Sequence, residues 1–422
     1  MSREQLKTQV MEEIDRRLPE FKDLLRDVVR IPTDNPPGDT TACVTFLAQY
    51  LKERGLPADV YEPRPTLQSL VSYKKGRREG RNLVLNGHLD QFPAGAPEEW
   101  SFDPYSGECR DGKILGRGVG DMKAGTVASL LCLVLIHELD IPFDGQLTAT
   151  LVADEESGGT WGAQWLLENV PMTRGDANLN SEPTDMDQVL IGHKGKYWLN
   201  VETRHGGGLA AIPVEDDAIA RAMQVAEAVK KKLQGWKLET PRDVADAVAR
   251  AKLRVEGQDR TQDVSWVVDS TTVNVGVIQG GVQPNTISTH CHMEVDIRTP
   301  VGVTTPDVQA KVEEVLAEID LPREEIELEW VVCLESAYSA PNEDIVELVA
   351  KNARQITGQQ IEINVSSGST DARFWWLRGI PAAIYGTGME NIAVPDEHVL
   401  EPQFGQMLKV HAATCIDYLC AS

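Results

Sequence analysis

Histidine and carboxylate side chains recur along the first half of this chain, most of them directly after a short apolar run. In chain order they are His88, Asp90, Asp121, Glu155, Glu156 and Glu182. Short apolar runs indicate buried strands, and in an open α/β sheet the carboxyl ends of the strands meet at one edge. Mixed histidine and carboxylate ligands at such an edge suit Zn²⁺, Mn²⁺ or Co²⁺ rather than Ca²⁺. The sequence therefore predicts a site for a divalent transition metal.

Taken singly, each of these residues has a simpler explanation. Asp90 can orient the ring of His88, although a His-x-Asp pair also occurs by chance. Asp121 opens a predicted helix, where an acidic N-cap is common. The adjacent Glu155 and Glu156 are on their own most simply a solvated loop. The combination after successive strands is what indicates a catalytic site.

The elements that must position these residues alternate between helix and strand. Helices are predicted over 4–30, 41–54, about 120–139, 216–233, 305–319 and 404–420, and strands over 82–86, 146–153, 177–180, 197–204, 271–278, 285–298, 361–365 and 382–385. Strands that alternate with helices imply an α/β sheet. Residues 1–195 and 335–422 are therefore predicted to form a catalytic domain with a mixed sheet, and residues 196–334 an inserted α+β domain. Ligands tend to bind in a cleft between such domains.

Length and composition narrow the class of protein further. A chain of 422 residues is too long for one compact core, so two domains are expected. The net charge of −24 disfavours nucleic acid or an anionic membrane as a partner. The apolar run 126–136 is too short to span a bilayer, and the first residues lack the pattern of a signal peptide, so a cytoplasmic protein is expected. Seven scattered cysteines without a CxxC pair argue against a disulfide framework.

Eight short segments together resemble a known family. They are GHLD (87–90), GRGVGDMKAG (116–125), DEESGG (154–159), SEPT (181–184), GHKG (192–195), VDIRT (295–299), STDARF (369–374) and PDEHV (395–399). In these segments the chain resembles the aminoacylase, acetylornithine deacetylase, succinyl-diaminopimelate desuccinylase and glutamate carboxypeptidase family of metallopeptidases (clan MH). The resemblance implies a zinc-peptidase-like α/β domain with an inserted lid domain. It also implies a homo-oligomer in which lids pair.

The resemblance implies roles for the residues of the catalytic domain. The expected metal ligands are His88, Asp121, Glu156 and Glu182, with Asp121 bridging between two ions. Glu155 is expected to be the general base that takes a proton from the activated water, and Asp90 is expected to orient a ligand ring. Together these roles imply hydrolysis by metal-activated water.

Further roles are implied for residues that touch the substrate. His205, in the lid, resembles a histidine that stabilises developing negative charge, often from a partner subunit. Arg298 resembles an arginine that binds a substrate carboxylate, with Asn285 assisting. Thr370 and Asp371 fall in a segment that lines the cleft. The expected partner is thus a small carboxylate-bearing molecule.

Two departures from the family pattern bear on the metal site. The family usually reads Ala-His-x-Pro-Asp-Glu near its C-terminus, and its histidine is the last ligand of the second ion. Aligned on residues 395–397, the ligand position here is Ala393, and His398 lies five residues further on. One divalent metal (Mn, Zn or Co) per subunit is therefore expected, with replacement of the lost ligand by His398 as the alternative. Three glycines, 206–208, follow the lid histidine and allow either close backbone approach or a flexible turn.

The expected activity is hydrolysis of a C–N bond in a small carboxylate-bearing substrate. The overall resemblance and the reduced metal site favour deamination of 5-nitroanthranilate to 5-nitrosalicylate. Amide hydrolysis of an N-acyl amino acid or a peptide C-terminus is the alternative. A binding module without catalysis, or a scaffold built on oligomerisation, would also fit the missing ligand, but a pure binder has no need of Glu155.

Overall fold

The computed structural model describes residues 1–212, 214, 216–257 and 263–420. In these residues the α-helices are α1 (Arg3–Val29), α2 (Thr41–Lys52), α3 (Ala124–Glu138), α4 (Trp165–Asn169), α5 (Ala218–Leu233), α6 (Ala245–Glu256), α7 (Thr305–Glu318), α8 (Asp344–Thr357), α9 (Arg373–Trp376) and α10 (Glu401–Leu419).

The strands of the same residues are β1 (Asp59–Arg64), β2 (Leu67–Lys75), β3 (Asn82–His88), β4 (Cys109–Arg110), β5 (Lys113–Leu115), β6 (Gln146–Val152), β7 (Ala177–Asn180), β8 (Gln188–His193), β9 (Gly195–Arg204), β10 (Gly208–Leu209), β11 (Thr272–Gly280), β12 (Thr286–Ile287), β13 (His290–Thr299), β14 (Ile326–Leu334), β15 (Ala337–Tyr338), β16 (Glu362–Ser366), β17 (Ala382–Ile384) and β18 (His398–Leu400).

The chain forms two compact units. Unit 1 contains Met1–Ile191, Ser339–Asn364 and Thr370–Ser422, and unit 2 contains Gly192–Tyr338 together with Val365–Ser369. The insertion begins and ends four residues outside the predicted bounds of 196 and 334. Residues 365–369 were expected in the catalytic domain, but they join unit 2, where the N–H of Lys194 donates to the carbonyl of Ser366 at 3.2 Å. Such a long-range contact leaves no mark on the local sequence pattern.

Unit 1 is built on a mixed sheet with the strand order β1-β2-β6-β3-β7-β17-β8. Strands β6, β3, β7 and β17 run parallel to their neighbours in this set, whereas β1, β2 and β8 pair antiparallel. The central strands β3, β6 and β7 are almost entirely buried. Continuous burial is typical of parallel strands covered on both faces. The parallel arrangement brings the carboxyl ends of β3, β6 and β7 to one edge.

Helix α3 is the central helix of unit 1 and packs against α1 and α10. Every residue from Ala124 to Ile136 is buried, which explains why this segment is apolar on all sides. The stretch Val119–Glu138 has the length and hydropathy of a membrane span, yet 94% of an apolar 18-residue stretch within it is buried inside the protein. That burial is typical of a core helix.

Unit 2 contains an antiparallel sheet with the strand order β11-β13-β9-β14. Residues of β9 and β13 alternate between buried and accessible positions, so one face of the sheet is apolar. Helices α5 and α7 contribute Val225, Val229, Val308 and Val312 to the core on that face. The predicted α+β character of this region follows from the alternation in the strands and the 3.6-residue period in the helices.

Two local predictions were wrong. The single strand predicted over 285–298 is divided, because Thr286–Ile287 pairs with Gly208–Leu209 while β13 pairs with β9 and β11. Asp121 was expected at the start of a helix, but α3 begins at Ala124. The N-cap position of α3 is occupied by Lys123, so Asp121 is not the N-cap residue, and its backbone is extended, with φ −118° and ψ 94°.

Candidate metal centre

Three side chains of unit 1 converge at the carboxyl edge of the parallel strands. His88 ends β3, Glu182 lies two residues after β7, and Asp121 lies in the irregular turn before α3. His88 Nε2 is 3.1 Å from Asp121 Oδ1 and 3.6 Å from Glu182 Oε1. One ligand atom from each residue lies within 4.8 Å of the other two. One histidine and two carboxylates with room for water form the donor set of a catalytic transition-metal site.

The ring of His88 is oriented by Asp90. His88 Nδ1 donates to the backbone carbonyl of Asp90 at 2.8 Å and lies 3.4 Å from its carboxylate oxygen Oδ1. The hydrogen bond places the proton of a neutral ring on Nδ1, which leaves Nε2 free to bind a metal ion. Burial by itself lowers the pKa of His88, but Glu182, Asp121 and Asp90 raise it well above its usual value. The surrounding carboxylates therefore favour positive charge at this position.

The Asp90 carboxylate also fixes the turn that carries the two glutamates. Its Oδ1 accepts the backbone N–H of Glu155 and its Oδ2 accepts the backbone N–H of Glu156, both at 3.1 Å. Asn35 Nδ2 donates to Oδ2 at 2.8 Å. Burial raises the pKa of Asp90, but the hydrogen bonds from His88, Asn35 and Glu156 outweigh burial and lower it. The buried Asp90 carboxylate thus positions both the metal ligand His88 and the expected base Glu155.

Glu155 is held by a buried arginine. Arg373 Nη1 donates to Glu155 Oε1 at 3.2 Å, and Arg373 Nη2 donates to the carbonyl of Gly158 at 2.8 Å. Burial raises the pKa of Glu155, while Arg373 and His88 oppose the rise. A carboxylate with a raised pKa and a fixed position can accept a proton from water and return it.

Glu156 lies beside the three converging ligands but is not one of them. Its Oε1 is buried and has no hydrogen-bond partner among the described residues. Burial, followed by the charge of Asp121, raises the pKa of Glu156 to about 10. Burial and the nearby carboxylates also raise the pKa of Glu182 well above its usual range, although His88 lowers it. An excess of negative charge at one place is what a divalent cation would balance, so the donor set fits such an ion.

The position of Glu182 depends on two buried asparagines. The backbone N–H of Glu182 donates to Asn180 Oδ1 at 2.9 Å, and Asn180 Nδ2 donates to Asn86 Oδ1 at 2.8 Å. Asn86 and Asn180 face each other in the parallel pair of β3 and β7. This chain of hydrogen bonds connects the segment of Glu182 to the strand that ends in His88.

Thr370 and Asp371, expected to line the cleft, are buried. Asp371 is 1% exposed, and its Oδ1 is 3.9 Å from Arg373 Nη2. The Thr370 hydroxyl accepts the N–H of Ala372 at 3.2 Å. Burial and the charge of Glu155 raise the pKa of Asp371 well above its usual range. Asp371 therefore lies close to the arginine that holds Glu155, and its role towards a substrate stays a prediction.

The three expected lid residues all lie in unit 2. His205 follows β9, and its Nδ1 accepts the N–H of Gly207 at 3.0 Å, so the proton of the neutral ring is on Nε2. Arg298, on β13, donates through Nε to both oxygens of Asp296 at 3.0 and 2.9 Å. Asn285 is exposed just before β12. Their roles towards a substrate stay predictions.

The structure also shows the surroundings of Ala393, which stands at the family's second-site ligand position, and of His398, its possible replacement. Ala393 is exposed and has a positive φ of 60°. His398 begins β18, and its Nδ1 donates to the carbonyl of Asp396 at 2.9 Å. His398 does not belong to the converging set among the described residues. The described arrangement therefore gives no replacement for the lost ligand.

Several residues that position the site were missed by sequence reasoning. They are Asn35, Asn86, Arg117, Asn180, Arg373 and Glu397. Arg117, Arg373 and Glu397 stand inside segments already recognised as resembling the family, so their charges in otherwise buried surroundings were an available signal. The asparagines carried no comparable signal.

Comparison with known proteins gives a consistent result. The model of Peptidase family M20/M25/M40 matches residues 84–417. A succinyl-diaminopimelate desuccinylase 2 of Ruegeria sp. is 26% identical over 405 residues, covering 94% of each chain. An N-formyl-4-amino-5-aminomethyl-2-methylpyrimidine deformylase of Halalkalibacterium halodurans is 24% identical over 408 residues, covering 90% of each. The M20 family metallo-carboxypeptidase Sso-CP2 from Sulfolobus solfataricus shares the fold, with a TM-score of 0.79, 15% identity, and coverage of 94% of this chain and 99% of that one.

Proposed function

We propose that this chain, which belongs to peptidase family M20/M25/M40 and is a divalent-metal hydrolase, deaminates 5-nitroanthranilate to 5-nitrosalicylate. The observation that carries the proposal is the reduced ligand set. Three residues converge, while the position at which the family pattern has a second-site histidine is the exposed Ala393. We infer one metal ion per subunit, bound by His88, Asp121 and Glu182.

A single ion is sufficient for this reaction for an electronic reason. Amide hydrolysis concentrates negative charge on one oxygen, which needs strong electrophiles at that atom. Attack on an aromatic ring that carries a nitro group para to the amine spreads the charge over the ring and the nitro oxygens. Fewer electrophiles are then needed at the attacked carbon, so loss of the second metal ligand is tolerated.

In this proposal Glu155 carries out both proton transfers, and Glu156 binds the amino group that leaves. The ion, when bound, acts as a Lewis acid that lowers the pKa of water. Glu155, held by Arg373, takes a proton from the water, whose oxygen bonds to the ring carbon that bears the amine. The C–N bond then breaks, and Glu155 returns the proton so that ammonia leaves. Glu156, with a buried oxygen that has no partner among the described residues, is positioned to bind the amino group.

Three residues of unit 2 complete the proposal. We assign binding of the substrate carboxylate to Arg298, whose terminal nitrogens have no hydrogen-bond partner among the described residues. Asn285 is assigned to assist Arg298. His205, with its proton on Nε2, is assigned to donate to an oxygen on which negative charge develops.

Amide hydrolysis is the second candidate, and the relatives favour it. Two of the relatives are by name a desuccinylase and a deformylase, names that denote removal of an acyl group. The same base and metal site would add water to the amide carbon and expel the amine. The substrate would then be an N-acyl compound with a carboxylate.

One experiment separates these candidates. The protein, loaded with Mn²⁺ or Zn²⁺, is incubated in H₂¹⁸O with 5-nitroanthranilate and, separately, with N-succinyl and N-formyl amino acids. We expect ammonia and 5-nitrosalicylate with ¹⁸O in the phenolic hydroxyl, formed about two to four orders of magnitude more slowly by Glu155→Gln. Turnover of the N-acyl compounds without release of ammonia from 5-nitroanthranilate would refute deamination in favour of amide hydrolysis.

A further inference from the structure

The loop that carries Asp121 is fastened to the C-terminal segment through one residue, Glu397. Its Oε1 accepts the backbone N–H of Gly120 at 2.9 Å and that of Asp121 at 3.3 Å. Its backbone carbonyl accepts the N–H of Gly116 at 3.0 Å. The same residue thus holds the loop at both ends.

The second oxygen of Glu397 is held by a buried ion pair. Arg117 Nη1 donates to Glu397 Oε2 at 2.6 Å, and the two side chains are 3% and 1% exposed. The guanidinium of Arg117 lies 5.0 Å from the centre of the Trp100 ring. A carboxylate fixed on both sides has one position available, so the two N–H groups that it binds are fixed as well.

Other hydrogen bonds also hold this loop, from the N–H of Arg117 to the carbonyl of Pro104 at 2.7 Å and from the N–H of Lys123 to the carbonyl of Gly118 at 2.9 Å. Glu397 is the acceptor for the N–H groups of Gly120 and Asp121. Asp121 has non-helical backbone angles, and α3 begins only at Ala124. A side chain at Gly120 would bring its Cβ within 3.3 Å of Glu397 Oε1, so glycine permits the close approach. Without the Glu397 carboxylate, the N–H groups of Gly120 and Asp121 would lose the acceptor that fixes their direction.

We infer that Glu397 is a positioning residue of the metal site, which fixes the Asp121 carboxylate by binding the N–H groups of Gly120 and of Asp121 itself. The inference rests on the proposed metal-dependent function. In the family pattern the C-terminal segment supplies a metal ligand directly, and here it acts on the ligand Asp121 through Glu397 instead. His398, the next residue, has no side-chain contact with the loop among the described hydrogen bonds, and it serves as a matched control.

A merely structural ion pair is the competing explanation, and two double variants separate the two roles. Both variants contain Arg117→Met, which removes the charge that would otherwise be left unpaired. One adds Glu397→Gln, whose amide oxygen can still accept the two N–H groups. The other adds Glu397→Met, which has a similar shape but no acceptor. The pair therefore differs in the hydrogen bonds to Gly120 and Asp121 and in one buried NH₂ group, which only the Gln variant carries.

The measurements are Zn²⁺ affinity, by competition with a chelator, and the melting temperature of the metal-free protein. Loss of a group that orients a metal ligand typically costs 10- to 100-fold in affinity. We expect the Met double variant to bind Zn²⁺ about 10- to 100-fold more weakly than the Gln double variant. We expect the two variants to melt at similar temperatures, because the Met variant leaves the N–H groups of Gly120 and Asp121 without their acceptor while the Gln variant leaves its own buried NH₂ group without one. His398→Ala should bind Zn²⁺ like the wild type.

Equal Zn²⁺ affinity in the two double variants, with normal binding by the wild type, overturns the positioning role and leaves the proposed function intact. Affinities that simply follow the melting temperatures overturn it as well, since they assign the pair to stability alone. A wild type that binds no Zn²⁺ at His88 would instead overturn the proposed function. The outcomes are distinguishable because metal affinity is measured without any substrate.

Discussion

Replacing Asp90 with asparagine changes one atom at the centre of the metal site. On one side of the carboxylate, Oδ1 accepts the N–H of Glu155 at 3.1 Å and faces His88 Nδ1 at 3.4 Å. On the other side, Oδ2 accepts Asn35 Nδ2 at 2.8 Å and the N–H of Glu156 at 3.1 Å. With NH₂ in place of Oδ1, the N–H of Glu155 loses its acceptor, whereas His88 Nδ1 still donates to the Asp90 carbonyl at 2.8 Å. With NH₂ in place of Oδ2, both Asn35 Nδ2 and the N–H of Glu156 lose theirs. At about 1–3 kcal/mol for each buried donor left unsatisfied, the expected loss is about 1–3 kcal/mol in the first orientation and about 2–6 kcal/mol in the second.

The loss is measured on metal-free protein by hydrogen exchange of peptides from β3 and β6, which reports the stability of unit 1 alone. The matched control is Asp103→Asn, because Asp103 is exposed and accepts one hydrogen bond, from the N–H of Tyr105 at 2.9 Å. This control should stay within about 0.5 kcal/mol of the wild type. A loss below about 1 kcal/mol for Asp90→Asn would refute the proposed network.

The pH dependence of the loss follows from the lowered pKa of Asp90. A group whose folded-state pKa is depressed stabilises the fold fully above its unfolded pKa, about 4 for aspartate. The contribution is lost as the pH falls through the lower folded-state pKa. The difference between wild type and Asp90→Asn should therefore be constant at neutral pH and narrow below about pH 4. A difference that does not change down to pH 2 would contradict this origin.

Four further predictions address the reaction and its metal. Glu155→Gln should lower kcat by about two to four orders of magnitude with unchanged metal content, and near-normal turnover would remove Glu155 from the mechanism. Arg298→Lys should raise KM more than a charge-conserving change normally does, because lysine lacks the bidentate fork, and equal reaction of substrates without a carboxylate would contradict this. If His205 acts across subunits, mixed subunits of His205→Ala and Glu155→Gln should partly regain activity. No recovery despite proven subunit exchange would place His205 in its own chain's site or outside catalysis. Metal analysis of fully active enzyme should give one tight equivalent per subunit, and two equivalents, one of them lost in His398→Ala, would refute the single-ion proposal.

The sequence alone determined the strands and the residues that end them. Short apolar runs predicted β3, β6 and β7, and the alternation of strand and helix predicted a sheet whose carboxyl ends share an edge. His88 and Glu182 converge for that reason, since each follows a parallel strand within a residue or two. The chemistry of the side chains and the apolar runs before them are local properties. Both can be read directly from the order of residues.

The tertiary structure decided what fixes those side chains. Asp121 was predicted at a helix start, but its loop is held by Glu397, which is 276 residues away. Arg373 reaches Glu155 across 218 residues. Such contacts join one side chain to one distant backbone or carboxylate, so they leave no periodicity in the sequence. They form only after packing has brought the segments together, and for that reason the positions of the base and of the third ligand could be known only from the fold.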